Sequence, residues 1–146
     1  MQTFLPYASF PRCARVLDYR RLGKQRVEAK QILQILLGET TSTAWRNHPA
    51  VRMWAGYESS LAWYGQHMCE EWIRRGYKDT LLSYFVARHE HDGLVRNIPP
   101  FIMSTKFRNS HRSNLLRKDK NYYSKYFKNV PDNLPYIWPT KEVING

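Results

Sequence analysis

The stretch that decides the fold runs from Arg12 to Lys30: Arg12-Cys-Ala-Arg-Val-Leu-Asp18-Tyr-Arg-Arg21-Leu-Gly-Lys24-Gln25-Arg-Val-Glu28-Ala-Lys30. Its apolar residues recur three and four apart, the period of an amphipathic helix. Asp18, Arg21, Lys24, Gln25 and Glu28 fall on the opposite side at the same spacing, so they share one face. A helix that gathers Arg and Lys around one or two carboxylates serves either as a solvated surface or as the floor of a site. Such a floor holds a phosphate backbone and does acid–base chemistry beside it.

Working outward, the charge is distributed unevenly. The 146 residues carry 23 Lys+Arg against 12 Asp+Glu, a net +11. Arg12–Lys30 holds seven basic and two acidic residues; Lys106–Lys128 holds eight basic residues and one acidic, Asp119. The rest of the chain is close to neutral. Two basic segments far apart in one short chain are expected to form one face, and the partner that fits such a face is nucleic acid. A solubility function does not predict this localisation.

The length is that of a single domain, 1–146, with its own core. No apolar run approaches the roughly 20 residues of a membrane span, and the start, Met-Gln-Thr-Phe-Leu-Pro-Tyr, lacks the charged then apolar pattern of a signal peptide. Cys13 and Cys69 make neither a disulfide framework nor a metal-type spacing; both read as reduced core residues of a cytoplasmic protein.

The expected class is all-α: about three to four helices, an ordered N-terminal segment and an irregular C-terminal wrap. The first eleven residues, with Pro6 and Pro11, read as extended and packed on the body. Ser9 caps a helix with Pro11 in its first turn, predicted to run to about Leu37 and stop at Gly38. Val16, Tyr19, Leu22, Gly23, Val27, Leu33 and Leu36 trace its buried side. Gly23 implies a close approach by backbone, ligand or packed side chain. Asn47 or His48 caps a second helix with Pro49 in its first turn and a stripe at Trp54, Tyr57, Leu61, Tyr64, Met68 and Trp72, ended by Arg74-Arg75-Gly76. Asp79 or Thr80 caps a shorter one. His89-Glu90-His91-Asp92-Gly93 reads as a surface loop. Ser104 or Thr105 opens the second basic segment. In it Tyr122, Tyr123, Tyr126 and Phe127 either pack under the core or stack on bases. Tyr136 and Trp138 hold the tail.

Three stretches, in this order, resemble a known family, the phage-type pyrimidine-dimer DNA glycosylases with AP-lyase activity. They are Asp18-Tyr-Arg-Arg-Leu-Gly-Lys-Gln-Arg-Val-Glu28; His48 through Glu70-Glu-Trp-Ile-Arg-Arg-Gly-Tyr77; and Ser110 to Phe127, above all Asn121-Tyr-Tyr-Ser-Lys-Tyr-Phe127. The resemblance implies a compact all-α fold. The expected partner is damaged double-stranded DNA, with the protein a monomer in the cytoplasm at the nucleoid of a bacterial or phage-infected cell. The resemblance also implies an N-terminal α-amine that attacks C1′, releases the base as it forms a Schiff base, and nicks the strand by β-elimination. An α-amine suits this role, because α-amines titrate at about 7.7–8 and lysine side chains at about 10.4. No metal or nucleotide cofactor is required.

Two residues depart from the family pattern. Gln2 stands where a small residue is usual; a large side chain there leaves Met1 in place, so the Met1 amine is the expected nucleophile, with Gln2 the alternative. Arg21 stands where the family has its catalytic Glu, and arginine cannot exchange a proton usefully. Glu28, two turns along the same face, is expected to take over the carboxylate role. Asp18 is the alternative, and an ordinary ion pair of Glu28 with Lys24 the plain one. Arg20, Arg21, Lys24, Gln25, Arg26, Arg46 and His48 are expected to grip the phosphates. Lys106, Arg108, Arg112, Arg117 and Lys118 would extend the track. Two other readings stay open: a glycosylase of the same fold acting on another modified or damaged pyrimidine, and a non-catalytic DNA-binding protein.

Overall fold

The structure is a computed structural model that describes residues 1–42, 44–91 and 98–139. Among these it is all-helical. The order is α1 (Phe10–Val16), α2 (Tyr19–Leu36), α3 (Pro49–Arg52), α4 (Glu58–Arg74), α5 (Leu82–His91), a 3₁₀ turn (Pro100–Met103), α6 (Thr105–Lys118) and α7 (Lys120–Tyr123). The helices are more numerous and shorter than the sequence suggests, because a capping aspartate interrupts one apolar stripe and a glycine turn the other.

The first interruption lies inside the opening helix. Leu17 is extended, and Asp18 restarts the chain as N-cap of α2, its carboxylate accepting from the Arg21 N–H. An Asp in this position satisfies a free N–H that continuous helix would leave to the backbone ladder. The second lies at Met53–Tyr57, where Gly56 takes φ 88° and its N–H donates to Glu58 at 3.1 Å. Expected caps appear at Ser9, His48, Asp79 and Ser104, and Gly38 and Gly76 adopt positive φ beyond α2 and α4.

α2 and α4 form the most extensive pairing, followed by α4 and α5. α2 turns Leu22, Ala29, Ile32 and Leu33 inward, together with Gln25 and Arg26. α4 answers with Leu61, Ala62, Tyr64, Gly65, Met68 and Cys69. Tyr19 and Val27, expected on the buried side, are instead 50% and 46% exposed. Two glycines set helix separations. A Cβ on Gly65 would fall 2.3 Å from the ring of buried Phe85, and one on Gly23 would fall 3.0 Å from Trp72. The close approach expected at Gly23 is thus a tryptophan ring.

Asp79 joins three elements. One carboxylate oxygen accepts from Arg26 of α2 at 2.8 Å, and the other accepts the Leu81 and Leu82 N–H groups at 3.0 and 2.7 Å. Burial pushes this carboxyl up, but the Leu82 N–H, Arg26 and Cys69 outweigh it and hold it below the usual carboxylate range. Glu71 binds both Arg74 and Arg75, and Arg75 reaches the Ala14 and Arg15 carbonyls at the end of α1. Cys13 and Cys69 are free and buried, with burial raising both thiols to about 12, so neither is a nucleophile.

His89, Glu90 and His91 belong to the last turns of α5 rather than to a loop, while Asp92 and Gly93 lie outside the described residues. The tail wraps α6: the Leu134 N–H donates to Ser113 at 2.9 Å, Arg117 donates to the Asp132 and Leu134 carbonyls, and Tyr136 packs between His111 and Trp138. No helix among the described residues is long and apolar enough to cross a membrane.

Candidate active site

The N-terminal segment is extended chain, and an extended strand without a sheet must find partners for its polar groups elsewhere. Here side chains supply them. The Gln2 N–H donates to Glu28 Oε2 at 3.2 Å, and the Gln2 carbonyl accepts from Gln25 Nε2 at 3.1 Å. Trp54 Nε1–H donates to Thr3 Oγ1 at 3.0 Å. The Phe4 N–H donates to Gln25 Oε1 at 2.8 Å, and its carbonyl accepts from Tyr64 at 2.9 Å. The Leu5 N–H donates to His111 Nδ1, and the Pro6 carbonyl accepts from Arg112 Nε, both at 2.8 Å. Five consecutive residues, Gln2 to Pro6, are therefore fixed by α2, α4, α6 and the turn after α3.

This lattice delivers the start of the chain to Glu28. One residue of chain spans at most about 3.6 Å, so the Met1 nitrogen lies within about 7 Å of the Glu28 carboxylate. Glu28 also accepts from Gln25 Nε2 at 3.0 Å, which fixes its orientation. His48 lies within electrostatic range of both the terminal amine and Glu28. Burial first, then the positive charge of the chain's own terminal amine, lower its pKa, while Glu28 pulls it up. The His48 ring sits edge-on between Trp45 and Trp138, and its Nδ1 accepts the Ala50 N–H at 3.0 Å as the cap of α3.

A cleft of about 960 Å³ opens over this point, lined by Met1, Gln2, Asp18, Tyr19, Arg20, Arg21, Lys24, Gln25 and Glu28 from the N-terminal half. Asn114, Lys118, Asp119 and Tyr122 line it from α6 and α7. The expected polar face of α2 and part of the second basic segment thus meet in one concavity. Its volume suits a nucleotide.

Asp18 has a different environment from Glu28. It caps α2, pairs with Arg21 at 3.1 Å and accepts a short hydrogen bond from Tyr123. Burial raises its pKa, but Tyr123 and Arg21 more than offset this and hold it low. Its oxygens are occupied, whereas Glu28 is turned to the chain start. The Asp18–Arg21 pair leaves the Arg21 guanidinium at the cleft wall.

The expected phosphate grip divides. Arg20, Lys24 and Lys118 are exposed and line the cleft; Arg46 and Lys106 are exposed outside its lining. Gln25 and Arg26 are buried, at 1% and 9% exposure, and are not available to a phosphate. Gln25 binds the N-terminal segment and Arg26 binds Asp79. Arg108, Arg112 and Arg117 spend donors on the carbonyls of Ile102, Pro6, Asp132 and Leu134. Three residues that the sequence marks only as core, aromatic or basic-segment positions support the site: Tyr64, which bonds Phe4 and Gln25; Tyr123, which bonds Asp18; and His111, which holds Leu5. In the aromatic run, Tyr123 and Phe127 are buried, Tyr126 is 45% exposed, and half-buried Tyr122 lines the cleft.

Comparison with known proteins gives one match. The family model described as pyrimidine dimer DNA glycosylase matches residues 1–84, more than half of the chain, and so covers the N-terminal segment, α2 with Glu28, His48 and α4. The aromatic run of the third resembling stretch lies beyond that match. No curated protein and no solved structure matches the chain. With DNA as the substrate class of that family, the basic cleft and the matched residues lead to one assignment: the chain belongs to the pyrimidine dimer DNA glycosylase family.

Proposed function

We propose that the protein removes a damaged pyrimidine and nicks the strand at the resulting site, using its terminal α-amine as nucleophile and Glu28 as the acid–base group. The observation that carries this reading is the delivery of the chain start to Glu28 by hydrogen bonds from four elements, beneath a basic cleft.

In the proposed sequence, the amine lone pair forms a bond to C1′ as the C1′–N bond to the base breaks, and the base leaves with that electron pair and takes a proton. The sugar ring then opens to the Schiff base at C1′. Glu28 faces the positive charge that develops on the sugar, and a carboxylate there stabilises it. It next accepts the proton lost from C2′, and the C3′–O bond breaks with departure of the phosphate. Water hydrolyses the imine and frees the amine. Arg20, Arg21, Lys24 and Lys118 hold the flanking phosphates. Asp18 orients Arg21 and takes no proton.

Met1 supplies the amine when it is retained. A second reading, in which Gln2 begins the chain, draws support from the 3.2 Å contact of the Gln2 nitrogen with Glu28. The whole chain, 1–146, acts as one domain and as a monomer in this account, because both basic segments line the same cleft.

The assay is cleavage of ultraviolet-irradiated, undamaged and abasic duplexes. The expected result is nicking of irradiated and abasic duplexes with a β-elimination terminus, and none of undamaged DNA. Nicking of abasic but not irradiated duplex would assign the lyase step and a different modified pyrimidine. Binding without nicking of either would leave a DNA-binding protein.

A further inference from the structure

His48 has a geometry that the phosphate grip expected of it does not use. Its Nδ1 accepts the Ala50 N–H at 3.0 Å as the cap of α3. A ring nitrogen that accepts carries no proton, so the proton of the neutral ring is on Nε2. Trp45 and Trp138 stand edge-on to the ring, with centroids 5.5 and 5.8 Å away, and hold its plane. Nε2 makes no hydrogen bond among the described residues and is not sealed from solvent. The ring is therefore an N–H donor, fixed at one end and free at the other.

The surroundings resist its protonation. A proton on Nδ1 would face the Ala50 N–H and break the cap. Burial, and then the positive terminal amine, disfavour the charged ring further, against the pull of Glu28. A phosphate is held best by a cation. A neutral imidazole kept from charging suits a different partner, a carbonyl oxygen on which negative charge develops.

Its position selects the carbonyl. α2 holds the backbone of Gln2 and Phe4, and between them Thr3 Oγ1 accepts from Trp54 Nε1, in the turn after α3, at 3.0 Å. Six residues of helical rise, about 9 Å, lead back from Trp54 to His48. α3 thus runs beside the chain start and brings the imidazole within electrostatic range of the amine and Glu28. In the proposed reaction the base departs from C1′ as the amine arrives. Its electron pair is shared between the glycosidic nitrogen and the adjacent O2 carbonyl of the pyrimidine. A donor to that oxygen must stand near the amine without contacting it.

We infer that the Nε2–H of His48 donates a hydrogen bond to O2 of the departing pyrimidine, which makes His48 a catalytic residue for base release and not for strand scission. The C1′–N bond breaks with both electrons going to the base. The hydrogen bond stabilises the charge that reaches O2, the imidazole keeps its proton, and the base takes a proton from water. This rests on the proposed function, in which release and scission occur in one cleft.

Two substitutions separate the two ends of the ring. His48→Asn places an amide oxygen where Nδ1 accepts the Ala50 N–H, and asparagine is an effective cap, but nothing replaces the Nε2 donor. His48→Gln places an amide N–H near Nε2 and gives up the cap. Single-turnover base release from ultraviolet-irradiated duplex is measured beside nicking of a preformed abasic duplex, which has no base to expel. His48→Asn is expected to lower the ratio of release to nicking by roughly 10²–10³-fold, the range for loss of one donor to a developing oxyanion, with a thermal unfolding midpoint like that of wild type. His48→Gln is expected to keep the ratio within about tenfold of wild type and to lower the midpoint. An unchanged ratio for His48→Asn, whether both activities persist or both fall together, overturns the inference; a common fall would return His48 to a phosphate or folding role. The wild type is read first. No release from irradiated DNA is a failure of the proposed function and removes this inference with it, whereas wild-type release with an unselective His48→Asn overturns the inference alone.

Discussion

Glu28→Gln is expected to lower strand cleavage at an abasic site by roughly 10²–10⁴-fold, the usual contribution of a positioned acid–base group, while the protein remains folded and DNA-bound. The substitution is nearly isosteric. The new amide oxygen still accepts from the Gln2 N–H and from Gln25 Nε2, which now bind Glu28 Oε2 at 3.2 and 3.0 Å. What disappears is the negative charge facing the sugar and the base for the C2′ proton. Asp18→Asn provides the contrast. It keeps a side-chain oxygen for the α2 cap but removes the charge paired with Arg21, so its effect should appear in stability and DNA affinity more than in the elimination step. Cleavage assays on abasic duplex, with thermal unfolding alongside, separate these outcomes. Full cleavage by Glu28→Gln would remove Glu28 from the mechanism.

Acidification is expected to loosen the protein well before its carboxylates titrate, through His111. This imidazole is fully buried, and burial pushes its pKa down to about 3. Its Nδ1 accepts the Leu5 N–H at 2.8 Å, and its Nε2 finds no partner among the described residues. In the unfolded chain a histidine titrates near 6.5. Above that pH both states hold a neutral ring and nothing is lost. Below it the unfolded state gains a proton that the folded state refuses. Stability therefore falls from about pH 6.5 downward, by about 1.4 kcal/mol for each unit, until the folded value is reached. His48 is also held low and acts in the same direction. The carboxylates of Asp18, Glu39, Glu71 and Asp79 are lowered, so their contribution is present above the usual carboxylate range and is lost only at lower pH. Urea unfolding of wild type and His111→Gln between pH 7 and 5 isolates the effect. Glutamine can accept the Leu5 N–H without titrating, so its stability should be flatter across this window. Equal slopes for the two proteins would contradict the account.

The local signals in the sequence were good guides where a short-range rule operates. Ser9, His48, Asp79 and Ser104 cap the helices expected of them, and the spacing of Asp18, Arg21, Lys24, Gln25 and Glu28 brings all five to one cleft. The joint between α1 and α2 was legible in principle, since Asp18 is a strong cap before a helix-forming run, but the apolar periodicity across it masked the break. The remaining differences come from contacts distant in sequence. Gln25 looks like a surface amide until the N-terminal segment is laid across it, where it bonds Gln2, Phe4, Glu28 and Tyr64. Arg112 looks like one cation in a basic track until the Pro6 carbonyl, over a hundred residues away, takes its guanidinium. His111 sits in the same basic run, and nothing in its neighbours marks it as the residue that holds Leu5. In each case the partner is an extended segment with no periodicity of its own, so its contacts leave no pattern to read.

The proposed mechanism depends on the chain start as a nucleophile. The most direct measurement is borohydride trapping on an abasic duplex, followed by mass spectrometry of the peptides from the trapped protein. The predicted result is a covalent adduct confined to the first peptide, on the Met1 amine, or on Gln2 if Met1 has been removed. An adduct on an internal lysine such as Lys24 or Lys118, or nicking with no adduct, would contradict it.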